Sequence, residues 1–427
     1  MTDQPEPGGR PDAPRLTTRE AAELLGVKPE TVYAYVSRGQ LGSVRAAGGR
    51  GSTFDADEVR ALARRSGRRE PSPAGGDLVF RTGGDLVFRT GITLIEQDRY
   101  YFRGVDATEL ARNHSYEEVA EWLWTGELRP GVRFTAPSET LAAARRTVGA
   151  LPAHSGSTDR LRVAVTAAAA TDPLRFDLSP GAVLSSARSL IPTLVGALPV
   201  LGPTEADGGS LARGLWPRLT ARPADAPALA VLDAALALLI DHDLAASTLA
   251  ARVAASARAH PYAVVSAGLG VLEGPLHGAA SGLAHRMLQE AVDRGSAVPV
   301  VADHLRTGRP VPGLGHRLYR GEDPRARTLF ALLEDVPQAA GALAAAREVV
   351  ATTARHAPLH ANIDLALAVL SVSCGMAAEA GETVFAVSRT AGWIAHALEE
   401  YGERPLRIRP SGHYTGPRPP RPLPHAP

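Results

Sequence analysis

Three loop-like segments in the second half of the chain carry residue types that proton transfer uses. His277 stands in GPLHG, between a Gly-Pro turn and Gly278, and His316 follows a Gly-x-Gly turn in VPGLGHRLYRGEDPRA. Asp364 stands in ANIDLAL, at the predicted start of a helix, where a carboxyl pKa is usually lowered. A histidine held by a tight turn can aim one ring nitrogen into a cleft. Each residue alone also fits a plainer interpretation, a helix cap or a solvent-facing side chain.

Further candidates are residues that could bind an anion. His242 lies in DHDLAAST, Arg325 in GEDPRA, and Arg389 on a mostly apolar helix pattern, FAVSRTAGWIAHALEE. Arg409 lies in the Pro-rich RIRPSGHYTG. A lone arginine on an apolar helix is most often half of a structural ion pair. Each of these residues is therefore a weak signal alone, whereas the whole set in this order is a stronger one.

Several familiar catalytic motifs do not occur in the sequence. It has no Walker loop, CxxC, HExxH or GxSxG, and GLGVLEG at Gly268 has the wrong spacing for dinucleotide binding. His356 and His360 are four apart, but Pro358 between them makes a helical metal pair improbable. The single cysteine, Cys374, excludes an intrachain disulfide and fits a reducing compartment.

Composition predicts a mainly helical chain with two or three domains. It has 427 residues, 46 basic against 45 acidic, and only 5% aromatic side chains, while Ala and Leu favour helices. The apolar stretch 190–201 contains two prolines and is too short to span a bilayer, and the polar N-terminus does not look like a signal peptide. We therefore expect a cytoplasmic protein without a membrane span. Helical periodicity recurs at 117–124, 138–148, 159–171, 227–239, 249–257, 278–293 and 364–376.

The N-terminal region predicts a small separate domain. Residues 1–15 have the composition of a disordered tail, and 16–66 run helix, Gly-containing turn, helix, strand, Gly-rich turn, strand, helix. This unit looks like the winged helix-turn-helix module of MerR-type regulators and phage excisionases. Arg38, Arg45 and Arg50 are the candidate DNA-phosphate contacts. The alternative is a module repurposed for assembly or ligand sensing.

A short exact duplication follows this domain. Residues 67–90 form a linker in which GGDLVFRT occurs twice without a gap, and each copy is a short strand pattern behind a Gly-Gly pair. The pattern predicts a small hairpin, and its plainest origin is a local duplication that extends an edge ribbon. A second hairpin is predicted at GITLIEQDRYYFRG.

From about Gly91 to Gly416 the chain resembles the citrate synthase family, including its 2-methylcitrate synthases. GPLHG, PGxGHxxxxxxDPR, NxD, RTxGWxAH and RPxxxYTG occur in the family's order. The resemblance implies an all-α domain at 91–427 with a small subdomain at roughly 278–385. It implies three groups of site residues: catalytic His277, His316 and Asp364; oxaloacetate-binding His242, Arg325, Phe385, Arg389 and Arg409; and CoA-binding Gly313, Gly315 and Arg320.

The resemblance also implies a mechanism and partners. Asp364 would remove a proton from the acyl thioester, His277 would donate to the thioester oxygen, and His316 to the ketone oxygen. Acyl-CoA and oxaloacetate would be substrates, no cofactor or metal would be needed, and a homodimer would share its active sites. Two positions depart from the family pattern near the oxaloacetate end: Leu239 replaces a frequent His, and Ala245 the usual Asn.

Two alternatives to citrate synthesis stay open at this point. The first is a 2-methylcitrate synthase that uses propionyl-CoA. The second is a DNA-binding regulator whose synthase domain senses metabolites.

Overall fold

The computed structural model describes residues 15–25, 27–37, 40–45, 52–65, 79–80, 86–204, 209–274, 277–278, 280–408, 413–418 and 421. The chain divides into two compact units, Met1–Phe88 and Arg89–Pro427. Each unit buries apolar side chains of its own.

The first unit is a three-stranded antiparallel sheet with helices. Its strand order is β1-β3-β2, and Leu16 pairs with Phe54, which is fully buried. Thr17 caps the first helix: Glu20 N–H donates to its hydroxyl at 3.3 Å, and the Glu20 carboxylate accepts from Thr17 N–H at 2.8 Å. The predicted order of elements is confirmed, and a first strand is added. The elements are β1 (Arg15–Thr17), α1 (Thr18–Leu25), α2 (Pro29–Ser37), β2 (Ser43–Arg45), β3 (Ser52–Asp55) and α3 (Ala56–Arg65).

The duplicated octapeptide forms the predicted hairpin. The two copies supply β4 (Val79–Phe80) and β5 (Leu86–Val87), which pair antiparallel. The first copy contributes its Val-Phe pair and the second its Leu-Val pair.

The second unit opens with the other predicted hairpin and a short third strand. These are β6 (Thr93–Glu96), β7 (Arg99–Phe102) and β8 (Val105–Asp106). The turn residues Gln97 and Asp98 have φ of 53° and 58°, the left-handed pair that a two-residue hairpin turn requires.

The other described elements of the second unit are helices, so the mainly helical prediction is confirmed. In the part of the chain that the structure describes, no single helix is long and apolar enough to cross a membrane, although the bent pair Pro324–Leu333 and Pro337–Ala354 passes that test by length and composition alone. The helices are α4 (Ala107–Asn113), α5 (Tyr116–Thr125), α6 (Ser138–Gly149), α7 (Ser157–Thr171), α8 (Pro180–Ala197), α9 (Leu211–Leu219), α10 (Ala226–Leu239), α11 (Ala246–Ser256), α12 (Pro261–Leu272), α13 (Ala280–Arg294), α14 (Val298–Arg306), α15 (Pro324–Leu333), a 3₁₀ turn (Pro337–Ala339), α16 (Ala340–Ala354), α17 (Ile363–Ser373) and α18 (Ala380–Gly402).

Helix α8 was not among the predicted helices. Pro192 lies inside it and removes one backbone donor, which usually ends a helix. The neighbours Ile191 and Leu194 are fully buried, so tertiary packing holds the helix through the proline. Helix α11 also begins three residues before its predicted start, and α17 ends three residues before its predicted end.

Helix α18 is packed against its neighbours at two glycines. A Cβ on Gly392 would lie 2.0 Å from the Ile240 carbonyl oxygen, and one on Gly268 would lie 2.5 Å from the Trp393 ring. Only glycine allows this approach. The close contact brings the Arg389 turn of α18 against the end of α10, where His242 follows.

Candidate active site

Two loops that carry predicted catalytic residues are joined through their backbones. Gly313 and Gly315 have φ of 79° and 77°, a left-handed geometry that favours glycine. Asn362 N–H donates to Gly313 O, its side-chain amide donates to Gly315 O, both at 2.9 Å, and Gly315 N–H donates to His360 O at 2.8 Å. A Cβ on Gly313 would also lie 2.8 Å from that of Leu365. These bonds fix the His316 loop beside the start of α17, which carries Asp364.

Asp323 ties the same two regions together with a carboxylate. It caps α15, accepts from Arg325 Nε and a terminal nitrogen at 3.0 and 2.8 Å, and accepts from Ile363 N–H at 3.1 Å. Burial alone would raise the pKa of Asp323, but the Arg325 charge and hydrogen bonds outweigh it, so the pKa is lowered. Two donors on one edge of the Arg325 guanidinium are therefore paired with a carboxylate of its own chain.

Asp364 behaves differently from the sequence-based expectation. Burial raises its pKa from 3.8 to about 6, against the lowering effect of Arg325 and with a smaller raising effect of Asp323. The prediction of a lowered pKa at a helix start is wrong, because loss of water outweighs the favourable field of the helix terminus. A carboxylate with a pKa near neutrality suits a general base.

His316 is held in one neutral tautomer. The backbone N–H of Leu318 donates to His316 Nδ1 at 3.1 Å, so the proton of the neutral ring lies on Nε2. Burial, helped by the positive charge of Arg325, lowers its pKa to about 4. At neutral pH this residue is an uncharged ring with one N–H to donate.

His277 is likewise uncharged at neutral pH. Its Nε2 lies 2.8 Å from the Ser247 hydroxyl, and its ring meets the Phe385 ring edge-on at 5.8 Å between centroids. Burial, and then the Arg389 charge, lowers its pKa to about 4. Ser247 was not among the predicted site residues, although it stands in the DHDLAAST segment that supplied His242.

His242 and His316 share one aromatic cluster with Tyr319. The His242 and His316 rings are perpendicular, with centroids 5.0 Å apart, and Tyr319 lies 5.0 Å from His316. The Tyr319 hydroxyl lies 2.7 Å from His242 Nε2. Burial lowers the pKa of His242 well below its usual value, so this ring is also neutral. Sequence reasoning missed Tyr319, and its place three residues after His316 was the available signal.

Arg389 is a buried cation that makes few polar contacts with the described residues. Its side chain is 1% exposed, its Nε donates to Leu239 O at 2.8 Å, and its guanidinium carbon lies 4.5 Å above the Phe385 ring. Both terminal nitrogens are buried without a hydrogen-bond partner among the described residues. The expected structural ion pair is absent there, and the substituted position Leu239 holds Arg389 through its backbone oxygen. Such a guanidinium is poised for an anion.

The remaining predicted residues are placed less completely. Arg320 is exposed, and its backbone N–H donates to the Asp98 carboxylate at 2.9 Å. Arg409 lies outside the described residues, as do Arg38 and Arg50. Of Arg45 the structure describes only the backbone, in β2. The DNA contacts and the shared arginine therefore stay predictions.

Sequence comparison identifies both parts of the chain. A family model described as "Citrate synthase, C-terminal domain" matches residues 83–411, and one described as "Helix-turn-helix domain" matches residues 15–67. The chain therefore belongs to the citrate synthase family, a family of condensing transferases, and carries an N-terminal helix-turn-helix domain.

Individual relatives agree with this assignment. The citrate synthase of Haloferax volcanii is 34% identical over 340 residues, which cover 73% of this chain and 88% of that protein. The 2-methylcitrate synthase of Shewanella oneidensis is 28% identical over 348 residues, covering 76% and 91%. The crystal structure of citrate synthase from Pyrobaculum aerophilum matches with a TM-score of 0.67 and 26% identity, over 82% of this chain and 97% of that one.

Proposed function

We propose that this chain condenses acetyl-CoA with oxaloacetate and water to give citrate and free CoA. The observation that carries the proposal is the Arg389 guanidinium beside neutral His277, buried with two terminal nitrogens that have no partner among the described residues. A small anion with a carboxylate fits such a fork bidentately. A ternary complex of citrate synthase from Thermoplasma acidophilum with carboxymethyl coenzyme A and oxaloacetate shares this fold, at a TM-score of 0.64.

The proposed chemistry follows from the protonation states. Asp364, ionised above pH 6, takes a proton from the acyl methyl carbon while neutral His277 donates a hydrogen bond to the thioester oxygen. The resulting enol carbon attacks the oxaloacetate ketone, and His316 Nε2–H donates to the oxygen that becomes an alkoxide. Water then cleaves the citryl thioester and releases the CoA thiol. Neutral histidines suit the donor role because they carry no positive charge. A charged histidine would stabilise the bound dicarboxylate before the reaction and would not lower the barrier by that amount.

Acyl-chain preference is the first point to measure. The relative named 2-methylcitrate synthase makes propionyl-CoA the second candidate substrate. One methylene changes binding by about 1–3 kcal/mol in a pocket, so rates must be compared directly. We expect a higher kcat/KM for thiol release with acetyl-CoA than with propionyl-CoA, each with saturating oxaloacetate. The reverse order would assign the chain to 2-methylcitrate synthesis, and no turnover of either would reject the proposal.

We further propose a cytoplasmic homodimer in which Arg409 reaches the partner's oxaloacetate site. The support is the family resemblance of the RPxxxYTG segment. The test mixes Arg409→Ala chains with Asp364→Asn chains, each inactive alone, so that a mixed dimer has one complete pocket. Random exchange restores about a quarter of wild-type activity, because about half the dimers are mixed and each has one good site of two. Persistent inactivity despite demonstrated exchange would contradict sharing.

The N-terminal domain gives a second, compatible function. Its helix-turn-helix match leads us to propose that it binds duplex DNA through phosphates contacted by Arg38, Arg45 and Arg50. Binding of labelled duplex to the full-length protein should weaken with salt, and Arg45→Ala should reduce the log–log slope by about one unit. DNA binding without any thiol release would favour a metabolite-sensing regulator. No binding at low salt would reject the DNA proposal.

A further inference from the structure

A cavity in the helical unit shares no lining residue with the candidate active site. Its volume is about 640 Å³, and α6, α7, α8 and α9 all contribute lining residues. Arg145, Arg160, Arg213 and Arg218 line it, and none of its described lining residues is acidic. The volume is in the range of pockets that hold small molecules.

Three of these arginines are anchored by main-chain carbonyls. Arg145 Nε donates to Gly196 O at 2.9 Å, a terminal nitrogen of Arg218 donates to Gly214 O, and Arg160 donates to the carbonyls of residues 152 and 153 at 3.4 and 3.3 Å. A carbonyl orients a guanidinium without neutralising it. The three positive charges are therefore held in place and kept.

Arg218 shows the cost of this arrangement. Its Nε is buried without a hydrogen-bond partner among the described residues. Burial, and then the like charge of Arg145, lowers the pKa of Arg218. Two cations close enough to perturb each other raise the energy of the empty cavity, and an anion between them would lower it.

We propose that this cavity is a binding site for a small organic phosphate that carries a diphosphate group. The combined positive charge of several guanidinium groups is more than a single carboxylate can balance. A diphosphate carries several negative charges, and the oxygens of both phosphates can accept charge-assisted hydrogen bonds. The lining also includes the buried apolar residues Val148 and Leu198, against which an apolar or nucleoside body can pack. The proposal does not depend on the condensation reaction.

The test is calorimetric titration of the full-length protein with inorganic pyrophosphate and, separately, with ADP. We expect saturable binding of one ligand per chain. Arg218→Gln and Arg160→Gln should each weaken it about tenfold, the effect of losing one charge-assisted contact. Arg146→Gln is the matched control, because Arg146 is the exposed neighbour on α6 and does not line the cavity. Thermal unfolding without ligand confirms that each variant is folded. If Arg218→Gln does not fold, Arg160→Gln still tests the proposal.

The two probes and the control distinguish the outcomes. Tighter binding of ADP than of pyrophosphate supports a nucleotide, and the reverse supports a free polyphosphate, with the diphosphate site upheld in both cases. Glu205 and Asp207 lie in the sequence between the lining residues Thr204 and Gly209, outside the described residues. If those carboxylates already occupy the guanidinium groups, wild-type protein will show no saturable binding, which overturns the proposal. An equal loss in Arg146→Gln also overturns it, since that result would mean diffuse surface attraction.

Discussion

Two buried arginines, both about 1% exposed, show two uses of the same residue. Arg252 lies 2.8 Å from a Glu399 oxygen, 3.2 Å from a Glu400 oxygen and 2.8 Å from His396 Nδ1. Arg389 donates to one main-chain carbonyl and leaves both terminal nitrogens without a partner in the described part of the chain. A buried cation matched by its own chain stabilises the fold, whereas an unmatched one is available to a ligand.

The ion network around Arg252 also supports the candidate active site. His396 Nε2 lies 3.2 Å from an Asp241 oxygen, and Thr93 donates its hydroxyl to the other oxygen at 2.5 Å. Asp241 directly precedes His242, so the ion network holds the backbone from which the site residue projects. The charges of this network are paired with one another, whereas Arg389 leaves two nitrogens for substrate among the described residues.

The largest expected effect is on the base. Asp364→Asn should lower kcat for thiol release by about 10²–10⁴-fold, because it removes only the proton acceptor. The variant should unfold at the same or a higher temperature than wild type at pH 7.5. Burial has raised the folded-state pKa to about 6, so above that pH the folded protein holds a carboxylate that water would solvate better. Near-normal kcat would show that another group is the base.

Next in size is the contrast between the two arginines. Arg389→Gln should raise KM for oxaloacetate roughly 100-fold, since a desolvated charged contact contributes about 2–5 kcal/mol, and should leave stability unchanged or higher. Arg252→Gln should instead lower the free energy of unfolding by about 3–5 kcal/mol, because it leaves carboxylates buried without their partner. Its KM, measured at low temperature on folded protein, should be near normal. Urea titrations measure the free energy of unfolding of both variants, and initial rates measure their KM for oxaloacetate. A raised KM in Arg252→Gln together with a loss of stability in Arg389→Gln would refute the comparison.

The pH dependence should be of intermediate size. Because Asp364 is active when ionised, kcat/KM should fall on the acid side with an apparent pKa of about 6, to roughly one tenth at pH 5. His277 and His316 have pKa values lowered to about 4, so they stay neutral through this range and add no limb above it. The residual activity of Asp364→Asn should lack the acid limb. An acid limb centred near 4 would assign it to the histidines.

The sequence predicted most helices, and it failed where burial decides the outcome. Regular apolar spacing predicted α6, α7 and α10. Pro192 argued against a helix at α8, because a proline usually ends a helix and only tertiary packing keeps this one intact. The motif at Asp364 was recognised, yet its pKa was predicted in the wrong direction because the local helix field is visible in the sequence and the loss of water is not. Ser247 and Tyr319 are common residue types hydrogen-bonded to histidines of distant segments, so their spacing from a predicted histidine was too weak a signal to single them out.

The smallest expected effect concerns helix α11, which reaches both regions: Ser247 in its first turn bonds to His277, and Arg252 lies in the ion network. Its N-cap residue, Ala245, has extended backbone angles suited to a cap and makes no side-chain cap bond. Ala245→Asn should therefore add a hydrogen bond to the first turn and stabilise the protein by about 1 kcal/mol.

Calorimetry should then record a Tm increase of about 1 °C. The control is Ala246→Asn, one residue inside the helix, where the same side chain cannot cap and should give no increase. Turnover should be retained in Ala245→Asn, because the cap acts on backbone N–H groups and leaves the Ser247 hydroxyl on His277. A gain in Tm together with a large change in KM for oxaloacetate would mean that Ala245 belongs to the pocket rather than to the scaffold. In that case the cap position, and not only Leu239, would separate this chain's substrate site from that of family members with asparagine there.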